Sequence, residues 1–209
     1  MYRLIFLSLV LFASCTKSFK KVVINCENDY PNLGAIVDSR DGNTYKTVEI
    51  GSQIWFAENL RYNAPNSYFN PENHCENYGR EYDWETLLDG DGAYSSSSVP
   101  SGVQGLCPDG WHIPSEAEWN ILIDFVGGLQ KAGTALKSTT GWNEKNGSNS
   151  YGFNILPKII SQDSYLTWEP YFWTTTLYQF DSSKVIVFGP IRKWRLLKTF
   201  KHSCRCLKN

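Results

Sequence analysis

One stretch dominates what this chain can become. Ser115 and Glu118 stand three apart just after Pro114. At that spacing the serine hydroxyl accepts from the glutamate N–H while the carboxylate reaches back to the serine backbone. Trp119, Leu122, Ile123 and Val126 then fall on one helical face, and Gly127 with Gly128 supplies the stop. It is the strongest helix signal in 209 residues. A shorter helix is predicted over Asp83 to Leu88, where Trp84, Leu87 and Leu88 recur at i, i+3 and i+4. Elsewhere, turn residues punctuate the chain. Pro65 and Pro71 exclude long elements from the loop Arg61–Asn77, and Ser95 to Ser98 with neighbouring Gly and Asp make Asp89–Gly102 a surface loop. From Ala132 onward the punctuation by Gly141, Gly147, Gly152, Pro157, Pro170, Gly189 and Pro190 predicts strand and loop only. A helix with one apolar stripe must bury it on a sheet. The strand candidates are Thr44 to Ile50 and Gln53 to Leu60, joined at Gly51 and Ser52, then Phe172 to Leu177, Lys184 to Phe188 and His202 to Leu207. The 8 Trp, 12 Tyr and 11 Phe offer large anchors for such a fold, and the class expected is α+β.

Charge narrows the partners. With 20 Lys plus Arg against 21 Asp plus Glu, the formal charge is -1, which argues against a nucleic-acid binder. Arg3 precedes an uncharged run, Leu4 to Ala13, too short to span a bilayer and of signal-peptide length. The residues that close it, Leu11, Phe12, Ala13, Ser14 and Cys15, resemble the lipobox of bacterial lipoproteins, with Phe12 departing from the usual aliphatic residue. That resemblance implies a leader over residues 1–14, acyl chains such as palmitate on Cys15, and a tether over 15–35. Several acyl chains would anchor the protein to the outer membrane without a spanning helix. The residues after Cys15 are basic, Lys17, Lys20 and Lys21, not the acidic run that resembles a surface-export signal, so periplasmic and cell-surface faces are both open.

Further motifs suggest a family. "DGNTYKTVEIGSQIWFAENLRY", "ENYGREYDWETLL", "GLCPDGWHIPSEAEW", "AGTALKSTTGWN", "SNSYGFNILP", "YFWTTT" and the terminal "SCRCLKN" occur in the order seen in the Fibrobacter succinogenes major paralogous domain. The resemblance covers Ile36 to Lys208, placing the domain at 36–208 behind the tether. It implies an exported, often lipid-anchored protein. "GWHIPSEAEW" also resembles a segment of the sulfatase-modifying fold, which implies a variant of the C-type lectin scaffold: loop-rich, with small antiparallel sheets, one or two helices, and a sheet that brings the termini together. Five cysteines follow Cys15, namely Cys26, Cys75, Cys107, Cys204 and Cys206, and in an exported chain disulfides persist. The family positions imply Cys107–Cys206. A family partner for Cys75 is missing and Cys204 replaces an apolar residue, which suggests Cys75–Cys204. Strand alternation puts Cys204 and Cys206 on one face, so either could take either partner, and Cys26 is left as the odd thiol.

Candidate chemical sites have plainer readings. An oxidase of the formylglycine-generating type would need two copper-binding cysteines about five residues apart near the C-terminus, but Lys201 stands five before Cys206. His202, Cys204 and Cys206 have soft-metal spacing, yet disulfides compete for the thiols. His74 and His112 are far apart, and His112 reads as structural. Asp38, Asp41 and Asn43, or Asp89 and Asp91, cluster oxygen ligands without completing a calcium loop. Trp142, Asn143 and Glu144, and Glu169 with Pro170, resemble fragments of calcium-lectin motifs in the wrong order. Trp55, Trp84, Trp111, Trp119, Trp142 and Trp173 lie in family core motifs. Trp168, Tyr171 and Trp194 are the candidate ligand contacts. No catalytic set, metal or cofactor is expected. The function expected is a non-catalytic, lipid-anchored envelope protein whose lectin-like domain binds a glycan or an envelope protein. The alternatives are an enzyme acting on extracellular polysaccharide or protein through Asp89, Asp91 or Glu144, and a purely structural envelope component.

Overall fold

The alternation seen over Thr44–Ile50 is realised as a strand that pairs antiparallel with Gln53–Phe56 across the Gly51–Ser52 turn, Val48 opposite Trp55. The computed structural model describes residues 27, 30–31, 33–70, 76–88, 99–142, 145–158, 160–162, 165–167, 169–179, 182–187 and 192–209. In chain order its elements are β1 (Gly34–Val37), β2 (Thr44–Ile50), β3 (Gln53–Phe56), a 3₁₀ turn (Glu76–Tyr78), α1 (Trp84–Leu87), β4 (Trp111–His112), α2 (Glu116–Phe125), α3 (Leu129–Ala135), β5 (Ile160–Gln162), β6 (Tyr165–Thr167), β7 (Tyr171–Gln179), β8 (Ser182–Val187), β9 (Arg192–Leu197) and β10 (Leu207–Lys208). The strands form antiparallel sheets in the orders β1-β2-β3-β10-β4, β5-β6 and β7-β8-β9. The fold is therefore mixed α and β. The last strand, β10, lies between β3 and β4 in the sheet whose edge is β1.

Period-two alternation makes each central strand serve two cores. Tyr45, Phe56, Trp173 and Val185 enter one buried cluster with Trp84, Trp111, Cys107 and Cys206. Their neighbours Val48, Trp55, Phe172 and Ile186 enter a second with Trp119, Leu122, Ile123 and Phe153. The expected face of α2 fills that second cluster. Trp119 lies 4.8 Å from Trp55 and 5.6 Å from Phe172, ring centroid to centroid. The capping box is present as read: the Glu118 N–H donates to Ser115 Oγ at 3.3 Å and the Ser115 N–H donates to Glu118 Oε2 at 2.7 Å. Gly127 and Gly128 take φ of 100° and 84°, the left-handed region open to glycine, and Gly128 N–H returns to the Ile123 carbonyl. The six tryptophans assigned to packing, Trp55, Trp84, Trp111, Trp119, Trp142 and Trp173, are all buried.

Several expectations change. Among the described residues there are three α-helices where one or two were expected. The extra one, α3, occupies a stretch read as the start of strand and loop. It buries Ala132 and Ala135 against the second cluster, a tertiary gain that overrides the weak propensity of its glycine. Strand β1 begins two residues before the expected domain start and pairs Gly34 with Thr47. The segment 202–207 is not one regular strand. It makes isolated bridges, Tyr82–His202 and Phe172–Ser203, before β10, because it threads between the two larger sheets and bonds to different neighbours in turn: Leu60 N–H to the Cys204 carbonyl, and Trp173 N–H to the Ser203 carbonyl.

The disulfide Cys107–Cys206 is formed and joins residues 99 apart. The suggested Cys75–Cys204 pair is corrected: Cys204 is a buried free thiol. Alternation does put Cys204 and Cys206 in the same cluster, and the sulfurs of Cys107, Cys204 and Cys206 lie within 4.8 Å of one another. Only one thiol can close on Cys107, and Cys206 does. Residues 1–14, Cys15, Cys26 and Cys75 lie outside the described residues, so the leader, lipidation and odd-thiol expectations are not addressed by the fold. Among the described residues no helix is long and apolar enough to cross a membrane.

Candidate functional site

Two polar networks, a buried histidine and one groove carry the unusual chemistry. The first network pins the C-terminus. His112, on β4, points one ring nitrogen at Asn209 Oδ1 (2.7 Å) and the other at Glu118 Oε1 (2.9 Å), and the imidazolium satisfies both acceptors as a double donor. Burial opposes that charge, but the bonds to Glu118 and Asn209 outweigh it and hold the His112 pKa above the ordinary value. Burial likewise opposes the Glu118 carboxylate, yet His112 and the N–H and hydroxyl of Ser115 hold its pKa below the usual range. The helix cap and Asn209 are thus one hydrogen-bonded unit through His112.

The second network surrounds Arg205, which is 1% exposed. Its Nε–H donates to Asn59 Oδ1 at 2.8 Å, and its other nitrogens donate to the carbonyls of Phe56, Phe153 and Asn154. The guanidinium also lies over the Phe153 ring, 4.6 Å from its centroid. Burial pulls its pKa down to about 9, with Glu58 acting the other way. One cation reaches chain segments 51 and 149 residues away. The third feature is His202, packed between Tyr171 (5.1 Å) and Trp173 (5.0 Å), with neither ring nitrogen hydrogen-bonded. Burial first, then Lys158, pushes its pKa down to about 3, so it is a neutral, essentially aromatic core residue. Burial also pushes the Cys204 thiol up, which keeps it protonated and inert.

The groove lies on the three-stranded sheet. It has a volume of about 330 Å³ and is lined by Glu116, Tyr178, Lys193, Trp194 and Arg195. Strand β9 supplies three consecutive residues. β7 supplies Tyr178, and the first turn of α2 supplies Glu116, whose N–H donates to Thr176 Oγ1 at 2.9 Å and so locks helix to sheet. Arg195 Nη1–H donates to the Tyr178 hydroxyl at 2.6 Å, with the guanidinium 4.6 Å above that ring. Lys193 stands 3.7 Å from the Glu116 carboxylate. Trp194 is 55% exposed.

Of the expected ligand contacts, Trp194 is therefore on an open groove. Tyr171 is half-buried and outside the groove lining: its hydroxyl donates to Glu169 Oε2 at 3.1 Å, and Glu169 in turn takes a two-pronged bond from Arg192, whose guanidinium lies 5.8 Å from the Trp194 ring. Tyr171 thus braces the strand that bears Trp194. Trp168 lies outside the described residues, as do His74, Asp89, Asp91, Asn143 and Glu144. Asp38 is occupied by Arg40 at 2.7 Å and Asp41 by Asn43. Sequence reasoning missed Tyr178, Arg195 and Glu116. The available signal was the run Arg192–Arg195, basic residues flanking a tryptophan.

The family model of the Fibrobacter succinogenes major domain matches residues 48–208. The chain belongs to that family. No match was found among curated proteins or among solved structures.

Proposed function

We propose that this is a non-catalytic, lipid-anchored protein of the bacterial envelope, held through Cys15 to the outer membrane, whose domain is a variant of the C-type lectin scaffold and binds a glycan or an envelope protein. The observation that carries this reading is the groove on the β7-β8-β9 sheet, where an exposed Trp194 stands beside Tyr178, Arg195 and Lys193. Large aromatics normally go inside; here most of the tryptophans do, and Trp194 does not. An indole at the surface offers a flat apolar face with a polar edge, the shape that sugar rings stack upon. The scaffold reading is supported by small antiparallel sheets, short helices, and a C-terminal strand in the sheet edged by β1. The anchor reading is supported by the lipobox-like run ending at Cys15.

Two experiments test it. Full-length protein purified from membranes in detergent, applied to a broad glycan array, is expected to bind, with loss of binding in Trp194→Ala. Absence of binding across the array counts against the glycan reading. Metabolic labelling with a tagged fatty acid is expected to mark the wild type and not Cys15→Ala; an unlabelled wild type removes the anchor.

A further inference from the structure

We infer that the β9 groove takes an acidic sugar, one or two units of a polysaccharide bearing carboxylate or sulfate, with the anion on Arg195 and Lys193 and a ring face on Trp194. This deepens the glycan-binding reading and rests on it.

Arg192, Lys193, Arg195, Lys198 and Lys201 fall within ten residues that contain no acid, in a chain whose formal charge is -1. Three of these cations are committed. Arg192 is forked onto Glu169 at 2.9 and 2.6 Å. Lys198 is buried with its ammonium 4.1 Å over the Trp84 ring. Lys201 meets Asp83 at 3.2 Å. The remaining two both line the groove. Lys193 forms an ion pair with Glu116 at 3.7 Å, longer than a hydrogen bond, and its side chain is 40% exposed. Arg195 has, among the described residues, the neutral Tyr178 hydroxyl as its hydrogen-bond partner. The lining therefore carries two cations against one carboxylate.

Geometry then selects the kind of anion. A guanidinium is a rigid fork that matches a carboxylate or a sulfate with two parallel hydrogen bonds. Stacking on Tyr178 holds that fork in place before a ligand arrives, so less ordering is left for the binding step. A volume of about 330 Å³ lies at the small end of ligand sites, which suits one or two sugar rings and not a folded partner.

The test uses full-length protein in detergent, with polygalacturonate as the carboxylate probe, dextran sulfate as the sulfate probe and dextran as the neutral control, at low and high salt. The expected result is binding to one or both acidic polymers at least about tenfold tighter than to dextran, weakened by salt. Arg195→Gln and Trp194→Ala should each weaken it about tenfold, with the melting temperature unchanged, while Lys208→Gln, an exposed lysine outside the groove, leaves it unchanged. The polymer that binds identifies the anion. The inference is overturned if dextran binds as well as the acidic polymers, in which case a Trp194-dependent signal leaves the broader glycan reading standing. Equal losses from Arg195→Gln and Lys208→Gln overturn it as diffuse charge attraction. Binding to anionic lipid vesicles with no glycan binding overturns both it and the glycan reading.

Discussion

Arg195 and Arg205 stand ten residues apart and show what two regions of one molecule do with the same side chain. Arg205 sits at the seam between the two larger sheets, fully enclosed, its donors spent on Asn59 and on backbone carbonyls from two other segments. Arg195 sits on the outer sheet, propped on Tyr178 and open to solvent on β9. At the seam the guanidinium's donors are met inside the protein, because an unmet charged donor there is costly. The outer sheet can leave a cation facing water at little cost, and a cation so placed is available to a ligand. Charge at the seam is spent on the protein's own groups, while charge on β9 faces solvent.

The largest effect is expected at the disulfide. Cys107–Cys206 closes the seam, and a loop of about 100 residues corresponds to about 4–5 kcal/mol in the chain-entropy model. Urea denaturation of the Cys107→Ala, Cys206→Ala double variant should show a loss of that order, and an unchanged midpoint would refute the seam's role. Next is Arg205→Met, which strands the Asn59 and carbonyl acceptors; a loss of about 3 kcal/mol or more is expected in the same assay. A smaller effect is expected at His112→Ala, about 1–2 kcal/mol from two charge-assisted bonds.

The pH dependence of the His112 pair sharpens the picture. Because the folded His112 pKa is raised, its contribution is complete below the unfolded value of about 6.5 and is lost as pH rises through the folded value. Because the folded Glu118 pKa is lowered, its contribution is present above the unfolded value of about 4.3 and is lost as pH falls through the folded value. The wild type should therefore gain most over His112→Ala between about pH 4.5 and 6.5, and a flat difference across pH would rule out the charged pair. The smallest effect belongs to β9: Arg195→Gln and Trp194→Ala should each shift stability by no more than about 0.5 kcal/mol. A large loss at either would mean that the exposed face of β9 is packed as the seam is.

Local signals were readable where one segment contains its own reason. The capping box at Ser115 and Glu118, the turn at Gly51 and Ser52, and the short helix capped by Asp83, whose side chain accepts from the Thr86 N–H, each lie within a few residues. Helix α3 was hidden because its short run and internal glycine carry little propensity, and only burial of Ala132 and Ala135 justifies it. Strand β9 was hidden because half of its six residues are charged and its pattern marks no buried face; pairing with β8 makes it a strand. Trp194 was readable as an aromatic outside the family core motifs. Its companions Tyr178 and Glu116 were not, since they arrive from another strand and from a helix far back in the chain.

The sequence was enough for the family, the mixed class, the main helix and the β2-β3 hairpin, since these depend on spacing and on motifs that keep their order. What only the tertiary structure decided is which thiol is bonded, which cations are spent and which are open. Those outcomes depend on distances between groups remote along the chain, such as the 4.8 Å sphere that holds the three sulfurs, and on burial, which makes an unmet charge costly at the seam and nearly free at the rim.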